Sequence, residues 1–330
     1  MPTADQLKAL LASHAEGDEA QFFAVAMQIA ATEARAGHGK LAEELRSLID
    51  KAKSRPQFDS KGPIPLARPR GELADFLTAS YPGIKLPDMV LGPALELRLA
   101  RVVREHKAVH NIRARGLSPR RKLLLVGPPG TGKTMTASAL AGELGLPLFV
   151  VRLDGLITKF MGETSAKLRL VFDAMNQTRG VYLFDEFDSI GSERGLGNDV
   201  GEIRRVVNSF LQMVEQDSSD SLIVAATNHV ALLDRALFRR FDDIIEFELP
   251  DLERIKLVLR TKLGAVTKTR LKWSEAAKAA LGASFADVAR ASEDAIKAAV
   301  VDDREAVTQA DLMAAIRERR AAASGRQAGR

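Results

Sequence analysis

A chain of 330 residues that is 46% hydrophobic and 28% charged holds enough apolar material for one large domain or two modest ones, and this composition excludes a disordered chain. The balance of 48 basic against 43 acidic residues, net +5, reads as a mixed solvated surface with a basic tilt that leaves nucleic acid a secondary expectation. Zero cysteines exclude disulfides, thiolate zinc sites and thiol nucleophiles together.

No apolar run reaches the ~18 residues of a membrane span, and the start "MPTADQLKAL" lacks a basic stretch followed by a hydrophobic one. The expectation is a cytoplasmic protein with no membrane partner. Residues 1–53 read as a small helical module. Thr3 to Gln6 has capping-box spacing, and Leu7, Leu10 and Leu11 fall on one face. Phe22, Val25, Ala26 and Ile29 repeat that stripe, and Leu41, Leu45, Leu48 and Ile49 make a third. A module of this size has a marginal core and suits an adaptor role. Residues 54–87, with four prolines in "SRPQFDSKGPIPLARPRG", read as a linker.

Over residues 88–250 amphipathic helices alternate with the short apolar runs "KLLLVG", "LPLFVVRL", "GVYLFDE", "SLIVAATN" and "IIEFEL". That alternation predicts an α/β fold, a mostly parallel sheet covered by helices on both faces. Residues 251–320 read as an all-helical bundle whose last helix is opened by Thr308 and Asp311, and residues 321–330 as a frayed tail.

"VGPPGTGKTM" carries the chemistry. Gly127, Gly132, Lys133 and Thr134 have the spacing GxxxxGK[ST] directly after a predicted strand and at the start of a helix. The loop Gly127, Pro128, Pro129, Gly130, Thr131, Gly132, Lys133, Thr134 and Met135 is expected to cradle a nucleoside triphosphate, ATP, with inward amides and the positive end of the helix dipole. Lys133 neutralises the outer phosphates, and the Thr134 hydroxyl is set to ligate Mg²⁺. A second strand ends in Asp185 and Glu186: the first can hold Mg²⁺ through water, and the second can polarise the attacking water. A third ends in Thr227 and Asn228, whose amide can orient that water.

Taken in order, "GPPGTGKT", "FDEFDSIG", "ATN" and "LLDRALFRRFD" resemble the AAA ATPases, the protein-remodelling clade of the AAA+ superfamily, over roughly residues 88–320. The resemblance implies a phosphate-loop NTPase sheet sandwiched by helices, a C-terminal helical lid, and a homo-oligomeric ring, a hexamer. It implies that Arg239 and Arg240 reach the neighbouring subunit's nucleotide, where a trans arginine accelerates hydrolysis by about 10³ to 10⁵. "KFMGET" is similar to the family's first pore loop, which implies that Lys159, Phe160, Met161 and Gly162 grip an extended polypeptide. A second pore loop is expected around Arg194 and Asn198, and an adenine contact near Val90, Leu91 and Gly92.

One departure stands out. Where family lids carry Ser-Gly-Ala-Asp, this chain has Ser284, Phe285, Ala286 and Asp287, so Phe285 replaces a glycine that allows close backbone approach and puts lid contact with nucleotide in question. The layout of a short helical module before one cassette is also similar to small bacterial AAA ATPases encoded beside a subtilisin-like serine protease, which implies a partner peptidase. The alternative is a nucleic-acid-linked ATPase of replication, plasmid maintenance or defence, suggested by "RARGLSPRRK". His106 and His110 have helical i, i+4 spacing, but "HKAVH" lacks the glutamate of a zinc-protease helix and reads as ordinary helix histidines.

Overall fold

The computed structural model describes residues 19–35, 37–54, 69, 71–152, 161–186, 200–228, 239–264 and 271–328. It divides into two compact units, residues 1–66 and 67–330.

In the first unit α1 (Glu19–Arg35) and α2 (Gly39–Ser54) pack together as a helical hairpin, and Ile29, Ala30, Ala42 and Ile49 are buried. Glu33 is buried as well, and its carboxylate oxygen lies 2.6 Å from His38 Nδ1, a hydrogen bond that holds the Glu33 carboxyl below the usual range. The helix expected near Leu7 to Leu11 lies outside the described residues.

The second unit is built on a six-stranded sheet. Its strands are β1 (Leu77–Ser80), β2 (Lys122–Val126), β3 (Leu148–Val151), β4 (Val181–Phe184), β5 (Leu222–Thr227) and β6 (Asp243–Glu246), in spatial order β1-β3-β4-β5-β2-β6. β2 to β6 run parallel, and β1 pairs antiparallel with β3. Alternate residues of each strand enter opposite cores. Leu124, Phe149, Tyr182, Phe184, Ile223 and Ala225 meet Leu168, Phe172, Phe210 and Val214 of α7 (Met161–Gln177) and α8 (Val200–Gln216). Leu123, Leu125, Leu148, Leu183 and Val224 meet Leu99, Val103, Ala137 and Leu140 of α4 (Pro93–Lys107) and α6 (Lys133–Leu144). Burial on both faces is why these strands read as unbroken apolar runs instead of alternating ones.

Part of the segment expected as linker is folded. Residues Leu73–Phe76 form the helical turn α3 and lead into β1, whose residues Leu77 to Ser80 face Val151 to Leu148. Phe76 and Leu77 are buried in the sheet core, and a four-residue strand beside prolines is too short to show a period. The chain then crosses α6 so closely that a Cβ on Gly142 would lie 2.1 Å from the Ile84 carbonyl oxygen, a contact only glycine allows. A short 3-10 turn, Leu86–Asp88, and the helices α4 and α5 (Val109–Arg113) precede β2.

After β6 the chain is helical: α9 (Leu252–Leu263), α10 (Trp273–Ala279), α11 (Phe285–Val301) and α12 (Gln309–Ala328) enclose their own core of Ile255, Leu259, Ala276, Val288, Ala295, Leu312 and Ile316. Asp251 caps α9, and Thr308 and Asp311 cap α12 reciprocally, with Thr308 N–H donating to Asp311 at 2.9 Å and Asp311 N–H to Thr308 Oγ1 at 3.3 Å. α12 runs on to Ala328, through most of the stretch expected as a tail. Among the described residues no helix is long and apolar enough to cross a membrane.

Candidate active site

β2, β5 and β4 lie side by side and parallel, so the residues following them come out on one edge of the sheet. The loop after β2 opens with Gly127 at φ 146°, where a Cβ would meet the Phe247 carbonyl oxygen at 2.2 Å. Gly130 and Gly132 also have positive φ, 74° and 100°. Three left-handed residues in six curl the backbone into a concave turn that side-chain-bearing residues resist. Gly132 is the N-cap of α6, and the first intrahelical bond runs from Thr136 N–H to the Gly132 carbonyl at 2.9 Å. The amides of the turn before it have no acceptor within the helix and sit at its positive end.

Lys133 is 6% exposed, and its ammonium donates to the carbonyls of Gly127 (2.7 Å) and Pro128 (2.8 Å) and to Asn228 Oδ1 (2.8 Å). The last contact follows from register: Thr227 ends β5 opposite Val126, so Asn228 emerges beside the loop. Thr131 Oγ1 donates to the Pro128 carbonyl at 2.7 Å and braces the turn. One strand further, Asp185 follows β4, and its Oδ2 accepts the Thr134 hydroxyl at 2.6 Å. Glu186 has φ 49°, one of two non-glycine residues with positive φ among those described. Such a backbone costs of order 1–3 kcal/mol and tends to persist where function holds it. Thr134 and Met135 are exposed at the mouth of the loop. The sequence-expected loop residues, Asp185, Glu186 and Asn228 are therefore brought together.

The donor set fits a magnesium triphosphate. Amides at a helix start and a buried lysine suit phosphate oxygens, and a hydroxyl beside a carboxylate offers the hard oxygen ligands that Mg²⁺ takes.

Phe285 does not keep the lid away. It packs partly buried against the lid core, and the next residue, Ala286, donates its N–H to the Gly130 carbonyl at 3.1 Å. The segment expected near adenine is shared between the cores: Met89 and Leu91 pack on the sheet side, Val90 on the lid side, and Gly92 lies against the Arg254 guanidinium of α9.

Arg239 and Arg240 stand elsewhere. They precede β6, whose Asp243 pairs with Leu123 near the start of β2, at the opposite end of the sheet from the loop that follows Val126. Arg239 is exposed, and Arg240 Nη1 lies 3.3 Å from Glu215 Oε2, a partner that no sequence motif announced. Phe241, buried in the sheet core, and Asp242, which accepts the N–H groups of Arg121 (2.8 Å) and Lys122 (2.9 Å), pin this turn.

The basic run "RARGLSPRRK" lies at that same far end and is largely neutralised within the chain. Arg113 pairs with Asp220, Arg120 with Glu105 at 2.6 Å, and Arg121 with Asp217, while Lys122 Nζ donates to the Glu215 carbonyl at 3.2 Å. His106 is buried with Nε2 2.8 Å from the Arg120 carbonyl, and burial lowers its pKa, so it is a neutral structural donor; His110 is exposed. Among the described residues no group of three His, Cys, Asp or Glu could hold a metal ion. Lys159, Phe160, Arg194 and Asn198 lie outside the described residues, and Met161 and Gly162 are the first two residues of α7.

A parallel sheet that gathers a glycine turn, a buried lysine and the ends of two further strands at one edge defines a phosphate-loop nucleotide hydrolase. Comparison narrows the class. Residues 123–249 match the model of the ATPase family associated with various cellular activities (AAA). The chain is 36% identical over 318 residues to an uncharacterized AAA family ATPase, y4kL, of Sinorhizobium fredii, covering 96% of each chain. It is 33% identical over 253 residues to ATP-dependent zinc metalloprotease FtsH 1 of Methylacidiphilum infernorum, covering 74% of this chain and 40% of the relative. It is 33% identical over 210 residues to the proteasome-activating nucleotidase of Methanoregula boonei, covering 61% and 48%. The chain belongs to the AAA ATPase family, in its protein-remodelling clade, and is an ATP hydrolase.

Proposed function

We propose that this ATPase works as a homo-oligomeric ring, a hexamer, that unfolds, threads or remodels polypeptides, each ATP being hydrolysed between two adjacent subunits. The carrying observation is the position of Arg239 and Arg240. From Asp243 to Glu246 the sheet alone separates that turn from the chain's own phosphate loop by about 10 Å, before the turn itself is counted. An arginine so remote from its own loop serves best in the site of a neighbour, and head-to-tail contacts of that kind close into rings.

Within each site Lys133 binds the outer phosphates and Asn228 orients the water that Glu186 polarises, while Thr134 and Asp185 hold Mg²⁺. Bound there, Mg²⁺ would neutralise charge on the phosphate oxygens. Lys159, Phe160, Met161 and Gly162 grip the substrate by the family resemblance. Relatives named as a zinc metalloprotease and a proteasome-activating nucleotidase support a polypeptide substrate, with any peptidase supplied here by a partner chain such as a serine protease. The neutralised basic run removes the main support for a nucleic-acid partner.

A mixing titration tests the reading. Arg239→Ala and Lys133→Ala chains should each be nearly inactive alone and recover part of the ATPase rate when mixed, because each lacks a different half of the shared site. Absence of recovery across all ratios would return Arg239 to a role within its own subunit.

A further inference from the structure

Among the described residues the lid meets the phosphate loop through backbone atoms at one place. Ala286 N–H donates to the Gly130 carbonyl at 3.1 Å. A Cβ on Gly130 would lie 2.4 Å from Ser284 Oγ and 3.1 Å from Ala286 Cβ, so the approach depends on glycine. The lid side is held firmly. Ser284 is buried as the N-cap of α11; its hydroxyl donates to Asp287 Oδ2 at 2.6 Å and accepts Asp287 N–H at 3.2 Å. Ala286 is the second residue of α11, so its N–H has no acceptor within the helix and Gly130 satisfies it.

The consequence lies in the peptide unit that follows. A trans peptide is planar, with its C=O and N–H on opposite sides, and none of the described peptide bonds is cis. A Gly130 carbonyl turned to the lid therefore turns Thr131 N–H away from it. Gly130, at φ 74°, is the loop residue with the greatest freedom to let this peptide flip, and the flipped form would aim a carbonyl oxygen at an anion.

We propose that the first turn of α11 is a positioning element for the phosphate loop: Ala286 N–H holds the Gly130–Thr131 peptide in the orientation that presents the Thr131 amide to a polyphosphate, so lid docking and nucleotide affinity form one equilibrium. The inference rests on residues 127–134 being the phosphate cradle. It makes Ala286 a positioning residue that acts through Gly130, and Phe285 the anchor that fixes the turn from the lid side.

Ala286→Pro tests it in the full chain, since proline deletes the donor in a first helical turn that loses no internal bond. Affinity for a fluorescent ATP analogue should weaken by about three- to tenfold, the value of one hydrogen bond, with kcat kept within about twofold. Ala286→Gly, which retains the N–H, should restore most of the affinity. Unchanged affinity in an Ala286→Pro protein with a wild-type melting temperature overturns the proposal. If that variant does not fold, amide exchange in the wild-type protein decides: slow exchange at Ala286 supports the latch, and exchange at the rate of an open amide overturns it. Lys133→Ala separates the two readings, because undiminished ATP binding there would remove the cradle itself, whatever Ala286 does.

Discussion

Arg121 lies just before β2 and Lys133 opens α6 beyond the loop that follows that strand; both are basic and largely buried, yet they are held in different ways. The bonds of Lys133 include those to two loop carbonyls and the Asn228 amide oxygen, neutral dipoles that an incoming anion can outbid. Arg121 faces the Asp217 carboxylate, whose side chain is fully buried, and also bonds the Asp217 carbonyl. One end is built to exchange partners and the other to keep them. A buried cation beside dipoles is poised for a ligand; a buried cation beside a carboxylate is closed off, and near Arg121 the more exposed Arg113 and Arg120 are likewise paired with carboxylates, Asp220 and Glu105.

The contrast predicts crossed effects. Arg121→Ala leaves the Asp217 carboxylate buried without its cation and should cost about 3–5 kcal/mol of stability in denaturant unfolding, with ATP affinity of the folded protein unchanged. A loss of affinity equal to the loss of stability would break the comparison. Lys133→Ala should do the reverse: titration with ATP should show affinity reduced by about ten- to a hundredfold, the scale of hydrogen bonds to a charged group, with the melting temperature nearly constant.

The smallest effect belongs to the lid. Asp311 accepts from both Arg304 terminal nitrogens, at 2.6 and 2.9 Å, and from Thr308 N–H and Oγ1, and the Arg304 bonds above all hold its carboxyl far below the usual range. A depressed folded pKa means the contribution is whole above the ordinary carboxylate value, near pH 4, and fades as pH falls below it. Arg304→Ala should therefore flatten the loss of lid stability as pH falls below about 4; thermal melts with the same acid slope as wild type would show that Arg304 does not set it.

The parts of the molecule that were legible in the sequence are those whose cause is local. The glycines of the loop announce themselves because the turn needs positive φ at Gly127, Gly130 and Gly132, and the Thr308–Asp311 cap because its partners are three residues apart. Five of the six strands read as apolar runs because both faces are covered. β1 did not, since its four residues gain their place only by pairing with β3. Neither did the contact of Ala286 with Gly130 or of Arg240 with Glu215, made across long stretches of chain by residues of no distinctive spacing. The place of Phe285 was not legible either: its side chain packs on the lid core, and it is Ser284 and Ala286 on either side of it that approach Gly130.

Gly142, in α6 well past Lys133, fixes how closely the segment around Ile84 lies on that helix. The segment pressed against it continues to Met89, beside Gly132, and to Val90, in the lid core. A methyl group at position 142 would act as a shim beneath that segment, lifting it from the helix and shifting Met89 and Val90 together.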